Sequence, residues 1–212
     1  MAHFKKSTRK PRFVRGFLFV GVVFCSSIPH ALKLACAHHN TQRRVQTIEI
    51  RLAKEEDAPF IALLGRTTFT ETFGHFFRDP QDLIDYYNLT FSVQKIEDGI
   101  KKPDNVFWIA FANRLPVGYA KLKLNSHSDF VESQDVCQLQ KIYVLKDFLS
   151  MKIGFGLQDA LLKKAKELNF DEMWLSVLHS NERAIHFYKK AALNKSVITI
   201  SRLEKKASSS SP

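Results

Sequence analysis

Two stretches of the chain combine residue types and spacings that bear on chemistry, and the first of them can hold an anion. The first runs Leu139-Gln140-Lys141-Ile142-Tyr143-Val144, then Asp147-Phe148-Leu149-Ser150-Met151-Lys152-Ile153-Gly154, and passes into Leu157, Leu161, Ala165 and Leu168 at helical spacing. This reads as strand, loop, helix. The N–H groups that open a helix lack intrahelical partners and sit at the positive end of its dipole, so they form a phosphate cradle, and Gly154 lets the backbone approach closely. Gly154-Phe155-Gly156 begins a dinucleotide fingerprint, but Asp159 stands where its third glycine belongs, and no Gly-Lys-Ser/Thr occurs. Rossmann and P-loop readings therefore fail. Taken alone, this segment is equally well explained by a glycine that eases a turn into a packed helix.

The second stretch is Trp174 to Val177 followed by Asn181-Glu182-Arg183-Ala184-Ile185-His186-Phe187-Tyr188-Lys189-Lys190. Asn181 can cap a helix with Glu182 in its first turn and Ala184, Ile185, Phe187 or Tyr188, and Ala191 on its inner face.

The order N-x-x-A-I-x-F-Y-x-K in this second stretch resembles a block of the GNAT acetyltransferases, and the Ile142-Tyr143-Val144 strand and glycine-bearing loop precede it at the expected distance. Thr47 to Ala53 with Asp57-Ala58 resembles the family's opening strand and helix, and Val117-Gly118-Tyr119-Ala120 its central strand. Thr68-Phe69-Thr70-Glu71-Thr72-Phe73 with Phe187 to Lys190 looks closest to bacterial polyamine N-acetyltransferases. The resemblance spans residues 47 to 195. It implies an acetyl-CoA-dependent N-acetyltransferase of α/β (α+β) class, with a mixed, mostly antiparallel sheet flanked by helices; as a departure from that pattern, one late strand is expected up to Leu203 where relatives have two.

Carried over by position, Ile142, Tyr143 and Val144 bond the pantetheine arm through their backbone, and Leu149, Ser150, Met151, Lys152, Ile153 and Gly154 hold the pyrophosphate. Asn181 touches the pantetheine, and Tyr188 is the general acid for the departing CoA thiolate. Where close relatives often carry a glutamate base, this chain has Gln138 and Gln140, so Glu71 is the candidate for holding a cationic amine. The implied co-substrate is acetyl-CoA, without a metal. The implied partner is a small-molecule or peptide amine, without nucleic acid, and a homodimer is compatible.

The chain also departs from the family pattern. Leu149 and Lys152 stand where the loop usually has Gln or Arg and then Gly, and Ala192 replaces a usual Gly. A catalytically weak or inactive acyl-CoA-binding or partner-binding module is the alternative these departures leave. Gly154 at the helix entrance is expected to absorb the close approach, leaving Lys152 at ordinary φ with its ammonium beside the pyrophosphate.

The elements that must position these residues are legible in the periodicity. Thr47 to Leu52 alternates as a strand, and Lys54 to Thr68 carries Ala58, Ile61, Ala62, Leu64 and Gly65 at helical spacing. Asp79-Pro80 breaks the chain before helices over Gln81 to Asn88 and Ser92 to Lys101. Val106 to Phe111 and Val117 to Asn125 form a hairpin about Asn113-Arg114. Cys137 to Leu145 and Met173 to Val177 are further strands, the helix from Gly154 to Leu168 lies between them, and Ser196 to Leu203 forms a last strand.

With 212 residues, 45% hydrophobic and 25% charged, the chain suits one soluble, globular domain with tails. The net charge of +11 is concentrated, because residues 1 to 48 hold nine basic side chains and no acid. The remaining 23 basic groups, 32 less those nine, face 21 acids, which removes the electrostatic case for nucleic acid. Cys137 is the one thiol outside the leader, so no disulfide is expected within the domain, and no metal-ligand spacing occurs.

Domain boundaries follow from the same composition. Residues 1–46 form a basic and apolar leader with the three-part plan of a signal peptide, and a presequence, an anchor or an upstream extension reads equally from it. Residues 47–204 form the acetyltransferase domain, and 205–212 a disordered, serine-rich tail. A co-substrate made inside cells points to a cytoplasmic location, with export or membrane attachment through the leader as the alternative.

Overall fold

The alternating residues after Thr47 form the first strand of the computed structural model, which describes residues 47–129, 131–192 and 198–203. In chain order the elements are β1 (Ile48–Leu52), α1 (Ala58–Phe73), α2 (Pro80–Thr90), α3 (Val93–Lys101), β2 (Asn105–Ala112) and β3 (Leu115–Lys123). They continue with β4 (Val136–Val144), α4 (Ile153–Glu167), β5 (Glu172–Leu178), α5 (Glu182–Ala192) and β6 (Ile198–Leu203). The leader and the tail lie outside the described residues.

The six strands lie in sequence order in one sheet, with β1 through β4 antiparallel and β4–β5 and β5–β6 parallel. The mixed, helix-flanked architecture expected from the sequence is present. Asn113 and Arg114, both at positive φ (49° and 70°), make the tight β2–β3 turn that matches the right-handed twist of its strands.

The alternation of side chains sends the two faces of the sheet into two cores. On one face Leu139, Ile142, Val144, Leu175 and Val177 pack with Leu157 and Leu161 of α4 and Ala184, Phe187 and Tyr188 of α5. On the other, Phe107, Ile109, Tyr119 and Tyr143 pack with Ile61, Leu64 and Phe69 of α1 and Ile96 of α3. Each large apolar side chain buried this way contributes about 2 kcal/mol.

Two glycines mark close approaches. A Cβ on Gly118 would sit 2.7 Å from the carbonyl oxygen of Tyr143, and one on Gly65 would sit 2.5 Å from the Phe91 ring. The second packing is unusual for a helix interior, where glycine lowers propensity, and it lets α1 lie against the aromatic cluster of Phe69, Tyr86, Phe91 and Tyr143.

Three elements differ from expectation. The helix expected to stop at Thr68 runs on to Phe73, which keeps Phe69 and Phe73 buried on its inner face, and the hydroxyls of Thr68 and Thr72 donate back to the carbonyls of Leu64 and Thr68. A short 3-10 turn, Gly74–Phe76, follows before the Asp79-Pro80 break. The stretch expected as an open loop after β4 is a 3-10 helix, Lys146–Met151, that leads directly into α4.

Candidate active site

The parallel pairing of β4 with β5 covers Val136↔Glu172, Cys137↔Met173 and Gln138↔Trp174 and stops there. Beyond it, Leu139 to Val144 pair only with β3, while Leu175 to Leu178 pair only with β6. The inner edge of β4 thus presents backbone N–H and C=O groups to a gap in the sheet, which is the surface an extended ligand can join as an added strand. Ile142 and Val144 are buried on the α4 face and Tyr143 on the α1–α3 face, so what these three residues offer to the gap is their backbone.

At the end of β4 the 3-10 turn carries Leu149, buried, Ser150, exposed, and Met151, half-buried. Lys152 follows as the N-cap of α4, with no side-chain cap, so the first-turn N–H groups of Ile153, Gly154 and Phe155 are left without that acceptor. Gly156 is the first whose N–H bonds back, to the Lys152 carbonyl at 3.1 Å. The 3-10 turn and the opening of α4 thus bring Leu149 to Gly154 together around these N–H groups.

One expectation about the cradle is corrected. Lys152 stands at φ 60°, ψ 13°, the left-handed region, and not at ordinary φ. The chain turns from the 3-10 helix into α4 at this residue, and Gly154 already lies inside the helix, where it cannot take up the turn. The lysine Cβ therefore crowds the backbone where glycine would not.

Across the gap, Asn181 caps α5: its Oδ1 accepts from the Ala184 N–H at 3.1 Å. That leaves Nδ2 buried and without a hydrogen-bond partner. The Tyr188 hydroxyl, two turns on, is also buried and unpartnered. Burial pushes its pKa well above the ordinary phenol range, and its ring lies in the same core as Ile142 and Val144 of β4. Phe187 fixes the helix by packing 4.7 Å, ring to ring, from Phe155 in the first turn of α4.

A buried donor without a partner costs about 1–3 kcal/mol, so two of them on α5 are unusual in a packed core. Glu71 is exposed near the end of α1. Desolvation raises its pKa, opposed by Lys146 and assisted by Asp147, which places it near the chain leaving β4.

Two polar groups at the site escaped the sequence reading. Gln158, on the buried face of α4 with Leu157 and Leu161, keeps its Nε2 buried and unpartnered. A glutamine on an apolar helical stripe was the signal available. The other is Lys141, half-buried on β4 with its Nζ 4.3 Å over the Phe91 ring. Gln138 is a structural residue, since its Oε1 accepts from the Ser126 hydroxyl at 3.4 Å beneath the loop that Trp174 Nε1 also bonds. Among the described residues no group of three or more metal-ligating side chains gathers, and no helix is long and apolar enough to cross a membrane.

The sequence model of the Acetyltransferase (GNAT) family matches residues 66–192, more than half of the chain. The chain belongs to the GNAT acetyltransferase family. It is 26% identical over 148 residues to an uncharacterized N-acetyltransferase of the pepI 3′ region of Lactobacillus delbrueckii subsp. lactis, covering 70% of this chain and 85% of the relative. Its fold is similar to that of the PaiA N-acetyltransferase of Thermoplasma acidophilum in complex with coenzyme A (TM-score 0.60, 23% identity, 68% of this chain and 88% of that one). It is also similar to the aminoglycoside N-acetyltransferase AAC(6′)-Iy in complex with CoA (TM-score 0.55, 15% identity, 79% and 98%). This GNAT chain is an acetyltransferase that uses acetyl-CoA as co-substrate.

Proposed function

We propose that this GNAT enzyme transfers the acetyl group of acetyl-CoA to a primary amine, on a polyamine, another small amine or a peptide, by direct attack with Tyr188 as general acid. The observation that carries the reading is the Tyr188 hydroxyl, buried and unpartnered on α5 in the same core as Ile142 and Val144, which belong to the stretch of β4 that does not pair with β5. Burial keeps the phenol protonated at neutral pH, the state a proton donor needs.

Acetyl-CoA supplies an activated acyl group. The backbone of Ile142 to Val144 extends its pantetheine arm as an added strand, the Asn181 amide donates to that arm, and the N–H groups opening α4 hold the pyrophosphate between Leu149 and Gly154. The neutral amine attacks the carbonyl carbon, the C–N bond forms as the C–S bond breaks, and Tyr188 gives its proton to the leaving sulfur. Glu71 attracts the ammonium form of the acceptor, and water carries away the amine's own proton, since Gln138 and Gln140 supply no base on β4. Release of CoA thiol that depends on both acetyl-CoA and an added amine tests this reading. Release at the same rate without any amine contradicts it.

A further inference from the structure

Lys121 and Lys141 are direct partners across the antiparallel β3–β4 ladder. Both lie on the α1–α3 face of the sheet. The Nζ of Lys121 stands 5.2 Å from the Phe107 ring centre, and that of Lys141 stands 4.3 Å from Phe91 and 5.8 Å from Tyr143. Among the described residues, no carboxylate lies within ion-pair distance of either. The charges that do act on Lys121 are all of its own sign: Lys123 on the same strand, Lys102 just past α3, and Lys95 on α3.

Like charges directly opposite each other on a sheet destabilise it, and half-burial strengthens the repulsion. The aromatic floor accounts for a share of this, since a cation over a ring is attracted to it. It supplies no counter-ion to the pair when both ammonium groups are charged. A bound anion would.

The position of the pair says which ligand that anion belongs to. Lys141 is three residues beyond Gln138, on the strand that lines the gap, but its side chain points away from α4. The phosphate cradle lies on the α4 face, so the lysine pair sits on the opposite face, where an acceptor can meet the thioester without competing with the nucleotide end. We infer that Lys121 and Lys141 bind an anionic group, a carboxylate or a phosphate, carried by the acceptor, so that the acceptor is an amine bearing an anion and not a polyamine. This rests on the amine-acetylation reading, and it gives the acceptor two ends: an ammonium for Glu71 and an anion for the lysines.

Burial, then repulsion from Lys121, pulls Lys141 down to about 7, and burial, then Lys123, Lys102 and Lys95, pulls Lys121 down to about 8. The groups facing them are Lys95, Lys102, Lys123, Tyr143 and the rings of Phe91 and Phe107, none of which neutralises them. The pair is therefore fully charged only below about pH 7. Affinity for an anionic amine falls as pH rises from there.

The test is calorimetric titration of the full chain, with and without saturating CoA, using γ-aminobutyrate, phosphoethanolamine and putrescine, for the parent, Lys121→Gln and Lys141→Gln. At least one anionic amine binds about tenfold tighter than putrescine, and each substitution weakens it by about tenfold while leaving putrescine and acetyl-CoA binding unchanged. Whichever of γ-aminobutyrate and phosphoethanolamine wins assigns carboxylate or phosphate. Relief of repulsion keeps both variants at or above the parent's thermal midpoint, so loss of binding is not loss of fold. Putrescine binding as tightly as both anionic amines, or anionic affinities unchanged in both variants, overturns the inference. Failure of the parent to bind acetyl-CoA would defeat the transfer reading separately, because the lysine measurement needs no turnover.

Discussion

Gln138 and Trp174 are the last partners of the parallel ladder between β4 and β5, and past them each strand keeps only its other neighbour. The unpaired inner edge of β4 is open to exchange with solvent until a ligand bonds to it. Adding acetyl-CoA slows backbone hydrogen exchange in the peptides covering Leu139 to Val144 and Leu149 to Phe155. Exchange in the α2–α3 segment stays as it was. Unchanged exchange along β4 would contradict the added-strand arrangement.

Tyr188→Phe removes a buried hydroxyl that has no partner, so the variant is as stable as the parent or more so. Its turnover falls by roughly tenfold to a thousandfold, the range of general acid catalysis, while acetyl-CoA affinity is preserved. Steady-state kinetics beside a thermal melt separates the two effects. Undiminished turnover makes Tyr188 a packing residue.

At φ 60°, Lys152→Gly relieves the crowding of Cβ against the backbone and stabilises the fold by about 1 kcal/mol, read as a higher urea midpoint. The same change removes a cation beside the cradle, so the salt dependence of acetyl-CoA binding flattens. A lower urea midpoint would show that the lysine side chain supports the turn.

Arg51 clasps Asp57 through two bonds, Nη1 to Oδ2 at 2.7 Å and Nη2 to Oδ1 at 2.8 Å, tying β1 to the start of α1. The Lys54 N–H adds a third bond to Oδ2. These bonds, the arginine first, hold the Asp57 carboxyl below its usual range despite burial. A lowered folded pKa means the clasp stabilises above the unfolded carboxylate value of about 3.9 and is lost as pH falls through the folded value. Arg51→Ala costs about 2 kcal/mol at neutral pH, and the deficit shrinks below about pH 4. Urea titrations at both pH values check it, and a deficit that persists in acid contradicts it.

The sequence carried the order of elements because the apolar patterns are strong: Leu157, Leu161 and Ala165 at helical spacing on α4, and the apolar runs of β2, β3 and β4, are buried in the fold. It carried Asn181 as a cap because the residue type and the position agree. The left-handed Lys152 was hidden because only a glycine announces that backbone region, and the chain places a lysine there. Lys121 and Lys141 were equally hidden. Their spacing in sequence is set by a hairpin loop, and only the β3–β4 register, shifted by an irregularity next to Lys121, brings them face to face.

The central claim is transfer from acetyl-CoA straight to an amine, and stoichiometry tests it most directly. Mass spectrometry of a completed reaction, alongside thiol titration, is expected to show one N-acetylated amine for each thiol released and no acetyl group left on the protein, at a rate that Tyr188→Phe cuts by at least about tenfold. Thiol release without acetylated amine, or an acetylated protein that passes its acyl group on when amine is added, would contradict it.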